Sequence, residues 1–164
     1  MVDGVVTNTG GNNDSANPSS DPNTPYYIHP NDYPRQKHVD KSLTDNNYSY
    51  WSREMKDFLF AKNRAGFIDG SIAQPTPDSP ELKPWQQSDA IIKGWLMTDM
   101  EKDIRNSVKY SNTAKEIWDD LEERFGKESA PRAYELKRTL TGLRQEKASV
   151  STYYTKMKWI WDEI

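Results

Sequence analysis

The chain contains 164 residues, of which 34% are apolar and 29% charged, and its net charge is −3. This length suffices for one domain with a substantial core, although the low apolar content predicts that part of the chain is unstructured. The lack of cysteine excludes disulfides, thiolate metal sites and cysteine nucleophiles. The acidic balance argues against a domain whose main task is coating nucleic acid. The sequence has no apolar run long enough to span a membrane and no secretory signal, so we expect an intracellular protein without membrane association. The cytoplasm is the expected compartment, and the nucleus is the alternative.

The first 44 residues are predicted to contain no helix. Residues 1–24 are rich in Asn, Gly, Ser and Thr and have no apolar period, which predicts a disordered arm. In residues 25–44, three large side chains stand between Pro25 and Pro30. Because proline disfavours helix on either side, we expect this part to be an extended lead-in segment laid against the folded domain.

Residues 45–164 are predicted to form an all-α domain, because apolar side chains recur at helical spacing and no strand-like alternation occurs. Gly94, inside the second helix, indicates that a neighbouring segment passes close there. A short buried turn is expected at residues 67–70. The predicted helices cover residues 45–64, 84–98, 100–108 and 113–125, then a stretch from about residue 129 onward, and finally residues 149–164.

The fourth helix has a narrow apolar stripe and needs partners that cover its large side chains. Thr113 and Glu116 fit a capping box at its start, and Gly126 is predicted to end it in the left-handed conformation. Gly66 is predicted to end the first helix. The predicted core consists of Tyr48, Trp51, Met55, Trp85, Ile92, Trp95, Ile117, Trp118, Leu121, Phe125, Leu136, Leu140, Tyr153 and Met157.

The sequence contains no recognisable catalytic, cofactor or metal site. The acidic residues of the fourth helix lie opposite its apolar stripe, so a solvated face explains them better than a metal or general-acid cluster. His29 and His38 lie in coil without a further ligand at zinc spacing. Neither a Gly-x-Ser-x-Gly turn nor a phosphate-binding glycine loop occurs. We therefore expect no enzyme, no cofactor, no metal and no small-molecule substrate.

The last helix suggests a contact surface. Trp159 projects on the side opposite its apolar stripe, which favours partner contact, unless the helix is covered on both sides within the monomer. The stripe itself comprises Val150, Tyr153, Tyr154, Met157, Trp161 and Ile164.

Charge is divided unevenly between the fourth and fifth helices, the fourth being acidic. The fifth and its exit carry Arg132, Lys137, Arg138, Arg144 and Lys147. We regard Arg138 and Arg144, with Trp159, as candidate interface residues. The oppositely charged faces could pair within the monomer, steer one subunit onto another, or be ordinary solvated surfaces. Contact between the basic face of the fifth helix and RNA is a further possibility, but no aromatic platform is interleaved with these cations.

Six segments carry a more specific signal, and they are residues 26–32, 43–52, 67–72, 114–125, 136–145 and 149–163. In this order, and over nearly everything from Tyr26 onward, they resemble the N-terminal module of Gag polyproteins from plant Copia-type retrotransposons. The resemblance implies an orthogonal, retroviral capsid-like bundle of about six helices that carries out no catalysis. It also implies self-association into virus-like particles that enclose element RNA, with RNA contacted only indirectly or weakly by this domain. The alternative is a host-adopted binding module that holds a cellular protein or RNA.

Two departures from the family pattern modify these expectations. Residues 37–42 are polar where the family usually has an apolar lead, so we expect them to be less ordered. The chain also lacks the Cys/His zinc knuckle, protease, integrase and reverse transcriptase of such polyproteins, and its last helix has no stop signal. We therefore expect a truncated piece of a longer polyprotein.

Overall fold

The computed structural model describes residues 18–126, 130–145 and 148–163. Over these ranges the chain is helical and contains no strand, apart from one isolated parallel bridge between Leu43 and Met100, which confirms the predicted all-α class. The helices are α1 (Tyr48–Ala61), α2 (Gly66–Asp69), α3 (Leu82–Thr98), α4 (Lys102–Val108), α5 (Ala114–Phe125), α6 (Ala130–Gly142) and α7 (Val150–Glu163), preceded by a 3-10 helix at Pro18–Ser20. No helix in these ranges combines the length and apolar character needed to cross a bilayer.

The disordered arm predicted for residues 1–24 is wrong for its last seven residues. Residues 1–17 lie outside the described part of the chain. Residues 18–24 form the 3-10 helix and a turn, because the Thr24 hydroxyl donates to the carbonyl of Pro18 at 2.5 Å.

Helix α1 is shorter at both ends than the sequence suggested. The side chain of Asn47 is engaged with the lead-in, since it accepts from the Thr44 backbone N–H at 2.8 Å and donates to the Ser42 carbonyl at 2.9 Å. The helix therefore begins at Tyr48. It ends near Asn63, which adopts a left-handed φ of 56°. The prediction that Gly66 ends this helix is wrong, because Gly66 opens α2.

The turn expected at residues 67–70 is a single turn of helix, α2, closed by Gly70 in the left-handed conformation with φ of 87°. Phe67 and Ile68 on this turn are both buried. Seven α-helices are therefore present in the described ranges, where six were predicted.

The caps of α5 differ in detail from the predicted ones. Thr113 Oγ1 accepts from the Glu116 backbone N–H at 3.2 Å, as expected for a capping residue. The Glu116 carboxylate reaches one residue further back, to the N–H of Asn112 at 2.7 Å. The left-handed ending at Gly126 is wrong, since its φ is −81° and its N–H donates to the Glu122 carbonyl. Glycine is needed there because a Cβ would lie 2.5 Å from that carbonyl oxygen.

The main core is one cluster of buried side chains from the lead-in and α1–α5. The rings of Trp51 and Trp118 stack at its centre with centroids 5.7 Å apart. The indole N–H groups of Trp51, Trp85 and Trp95 each donate to a backbone carbonyl of a distant segment, which ties the loops to the helices. Nine of the predicted core residues belong to the cluster: Tyr48, Trp51, Met55, Trp85, Ile92, Trp95, Ile117, Trp118 and Leu121. Phe125 is half-buried against it.

The other four predicted core residues lie outside this cluster. Leu136 on α6 is buried, whereas Leu140 on α6 and Tyr153 and Met157 on α7 are half-buried. Helices α6 and α7 pack against each other. The chain therefore consists of a bundle built by α1–α5 and a helical hairpin, α6–α7.

The lead-in is held tightly against the bundle. Leu43 is fully buried, and its backbone exchanges hydrogen bonds with the chain just after α3 at 2.8 and 3.0 Å. Val39 is also buried, and the His38 ring stacks on Phe58 with centroids 4.0 Å apart. The expectation that residues 37–42 are less ordered is therefore wrong for these two positions.

Two close contacts fasten the lead-in to α1 and α3. A Cβ on Gly94 would lie 2.6 Å from the carbonyl oxygen of Pro34, which confirms that a neighbouring segment passes close at this glycine. Arg64 is 1% exposed, donates to the carbonyl of Tyr27 and pairs with the carboxylate of Asp32 at 3.5 Å. A buried charge of this kind is tolerated only when paired and hydrogen-bonded.

Candidate protein–protein interface

Helix α7 presents a wider apolar arc than its partner α6 covers. Its buried side includes Ile160, which is 3% exposed and which the predicted stripe omitted. Val150, Tyr154 and Trp161, assigned to the inward stripe, are instead exposed, Trp161 by 67%. Successive residues of a helix lie about 100° apart, so these three share one face beside the buried edge. Their assignment to the core side is wrong, because one neighbouring helix covers only part of the arc.

Trp159 lies on yet another side of α7 and is 59% exposed. Large aromatic side chains in solvent on two sides of one helix are unusual, because aromatic residues bury the most area when they find a partner. Helix α7 contains one ion pair between described residues. Lys158 donates to Asp162 at 2.8 Å, and this hydrogen bond raises the pKa of Lys158.

The outer face of α6 is basic. Lys137 and Arg138 are exposed, and Arg144, just beyond the helix, is exposed as well. Tyr134, 71% exposed, stands one helical turn before Arg138 on the same face. An aromatic ring is thus interleaved with these cations, contrary to the sequence interpretation, and the spacing of four residues could have revealed it. The side chain of Arg132 lies outside the described part of the chain, and so does Lys147.

The outer face of α5 is acidic, as its sequence indicates. Two of its carboxylates are paired along the helix, Asp119 with Lys115 at 2.7 Å and Asp120 with Arg124. Glu122 and Glu123 are exposed and take part in no ion pair within the described residues. The charge of Glu122 adds to burial in raising the pKa of Tyr48 to about 12. Glu122 lines a shallow cavity together with Lys56 and Lys115 but forms no ion pair with either of them.

Both histidines take part in local contacts within the lead-in and the bundle. His29 Nδ1 accepts from the Asn31 backbone N–H at 3.1 Å. His38 lies between Phe58 and Trp95, where burial, and secondarily the charge of Lys62, lowers its pKa. In the part of the chain that the structure describes, no three His, Asp or Glu side chains are grouped so that they could hold a metal ion.

Two family profiles match the chain. A family profile described as gag-polypeptide of LTR copia-type matches residues 55–164, and a second Gag profile of LTR copia-type matches residues 29–76. The chain belongs to the copia-type Gag family. No solved structure matches it.

Relatives of this copia-type Gag chain come from plants. The chain is 24% identical over 131 residues, 74% of its length, to the retrovirus-related Pol polyprotein from transposon RE1 of Arabidopsis thaliana. It is 30% identical over 88 residues, 48% of its length, to that from transposon RE2 of the same plant. The polyprotein from transposon TNT 1-94 of Nicotiana tabacum is 24% identical over 111 residues, or 68% of this chain. The matched regions span only 9%, 6% and 8% of these polyproteins.

Proposed function

We propose that this copia-type Gag chain is a non-enzymatic structural domain that associates with copies of itself, as a building block of a capsid or virus-like particle. The proposal is carried by the exposed aromatic side chains of the α6–α7 hairpin. Tyr134, Tyr154, Trp159 and Trp161 are each more than half exposed. Aromatic residues at such exposure are typical of the anchors that protein interfaces bury.

The tryptophan side chains of the hairpin are also less buried than those of the bundle. The tryptophans of the bundle are nearly inaccessible, and the N–H groups of Trp51, Trp85 and Trp95 donate to backbone carbonyls. On α7, by contrast, Trp159 and Trp161 face solvent on different sides. A surface of this kind gains apolar burial when another protein covers it, and each buried aromatic removes about 150–250 Å² from water.

Sedimentation velocity over a range of protein concentrations tests the proposal. We expect defined oligomers or particles for the wild-type chain. Trp159→Ala and Trp161→Ala should each weaken association at least about tenfold while shifting the melting temperature little, because truncation of an interface aromatic costs binding energy. Phe60→Ala is the matched control, since Phe60 is 79% exposed but lies on α1 and not on the hairpin.

The result that would contradict self-association is a chain that remains monomeric at the highest concentration reached. A large fall in melting temperature for Trp159→Ala would instead place this side chain in the folded core. Tight capture of a single heterologous protein by the monomer would favour a host-adopted binding module.

A further inference from the structure

Two oppositely charged faces of the chain are exposed, and apart from Asp119, which pairs with Lys115, their charged side chains form no ion pair with a described residue. On α5, Glu122 and Glu123 are solvent-exposed, and within the described residues neither takes part in an ion pair. We call them, with the neighbouring Asp119, the acidic face. On α6 and just beyond it, Lys137, Arg138 and Arg144 are likewise exposed, and none of them forms an ion pair with a described residue. We call these three, with Tyr134, the basic face.

The two faces do not neutralise each other within one chain. The ion pairs of α5 run along the helix, from Lys115 to Asp119 and from Arg124 to Asp120, and that of α7 runs from Lys158 to Asp162. Among the described residues, no ion pair joins α5 to α6 or α7. Of the possibilities that the sequence left open, pairing within the monomer therefore has no support in the described ranges.

We propose that copies of this chain join head to tail, with the basic face of one copy lying on the acidic face of the next. This inference rests on the proposed self-association and names the surfaces that carry it. The charges are complementary, and electrostatic complementarity of this kind sets the orientation and the rate of docking. Tyr134 lies within the basic face and supplies an aromatic side chain that docking would bury.

The geometry of such a contact determines what it can build. Because the two faces are different surfaces of one chain, the contact is heterologous, and every docked pair still offers one free face of each sign. Heterologous contacts close into rings or extend as open arrays, whereas a two-fold contact stops at a dimer. A head-to-tail contact is therefore able to propagate, which a shell or particle requires.

Charge reversal tests the pairing of the two faces. One variant carries Glu122→Lys and Glu123→Lys, and the other carries Lys137→Glu and Arg138→Glu. Each variant alone presents like charges at the contact, so its association should weaken at least about tenfold near 0.1 M salt. A 1:1 mixture restores opposite charges at every contact, and we expect it to associate about as well as the wild type. A chain with all four substitutions should do so as well.

The control variant carries Asp57→Lys and Asp78→Lys, which reverse two exposed carboxylates on α1 and in the loop before α3. It changes the net charge as much as the acidic-face variant does, and its association should stay near that of the wild type. Raising the salt to about 0.5 M should weaken the wild-type contact, because exposed charges are then screened. Melting temperatures verify that each variant is folded.

The outcomes separate this inference from the proposed function. A monomeric wild type overturns both. An oligomeric wild type whose two charge-reversed variants associate normally overturns the head-to-tail contact and leaves self-association standing. The head-to-tail contact is also overturned if both variants associate weakly and their mixture does not regain the wild-type association. It is likewise overturned if only the basic-face variant loses association. In that last case a polyuridine titration would show whether the cations contact RNA instead.

Discussion

Trp118→Ala removes the side chain around which the helices of the bundle meet. Trp118 is 3% exposed, and its ring stacks on that of Trp51 with centroids 5.7 Å apart and planes 24° apart. Lys56 Nζ also lies over the Trp118 ring, 5.4 Å from its centroid. Truncation of a buried Trp to Ala costs about 3–5 kcal/mol, of which the stacked pair contributes about 0.5–1.5 kcal/mol.

The size of this loss decides how it should be measured. A domain of this kind has an unfolding free energy of about 5–15 kcal/mol, so the variant should remain folded but much weakened. In a urea titration followed by circular dichroism, the midpoint should fall by at least about 1 M without a change in slope. Trp161→Ala is the control, because it removes the same side chain from an exposed position and should change the unfolding free energy by about 0.5 kcal/mol or less. A loss below about 1 kcal/mol for Trp118→Ala would refute its central placement.

Three further predictions concern the lead-in and its contacts. Gly94→Ala should lower the unfolding free energy by about 1–3 kcal/mol, because the new methyl group meets the lead-in backbone, whereas Gly142→Ala has nothing within 4 Å and should be neutral or stabilising. Arg64→Ala should cost about 3 kcal/mol by leaving the buried Asp32 carboxylate without this partner, and adding Asp32→Asn should recover part of the loss. Burial lowers the pKa of His38, so the unfolded chain binds more protons, and the unfolding free energy should fall from pH 7 to pH 5 by less in His38→Gln than in the wild type.

Urea titrations at two pH values measure all three effects. Equal stability of Gly94→Ala and the wild type would mean that the lead-in does not pass against α3 in solution. An Arg64→Ala variant as stable as the wild type would remove Arg64 from the group of residues that hold the lead-in. For His38, an unchanged pH dependence after substitution would show that other groups account for it.

The helices of the bundle were largely predictable, because each has a periodic apolar stripe that depends only on its own local sequence. Trp51, Met55 and Leu121 fall on apolar stripes whose period depends on nothing but the sequence of one helix. Arg64 was not predictable in the same way. Its partner Asp32 is separated from it by 32 residues, and local sequence contains no information about a contact of that range.

The caps show where local patterns fail. The first helix was predicted to begin at residue 45, but it begins at Tyr48, because the side chain of Asn47 is hydrogen-bonded to the lead-in loop. Gly126 had the expected residue type for a left-handed ending, yet it is required for a close approach to the Glu122 carbonyl instead. At Gly126 the pattern identified a constrained residue, and the packing decided what the constraint was.

The hairpin illustrates a different limit, which bears on assembly. Periodicity defines which residues of α7 are apolar and adjacent, but not how many neighbours cover them. The predicted stripe therefore omitted Ile160, which is buried, and included Trp161, which is exposed. Leu136 on α6 and Ile160 on α7 are the buried apolar side chains of the hairpin's described residues. Segments below about 40 residues rarely bury enough surface to be stable without oligomerisation or other support. Because α6 and α7 place their aromatic residues mostly outward, we infer that a second copy supplies the apolar burial that these helices lack within one chain.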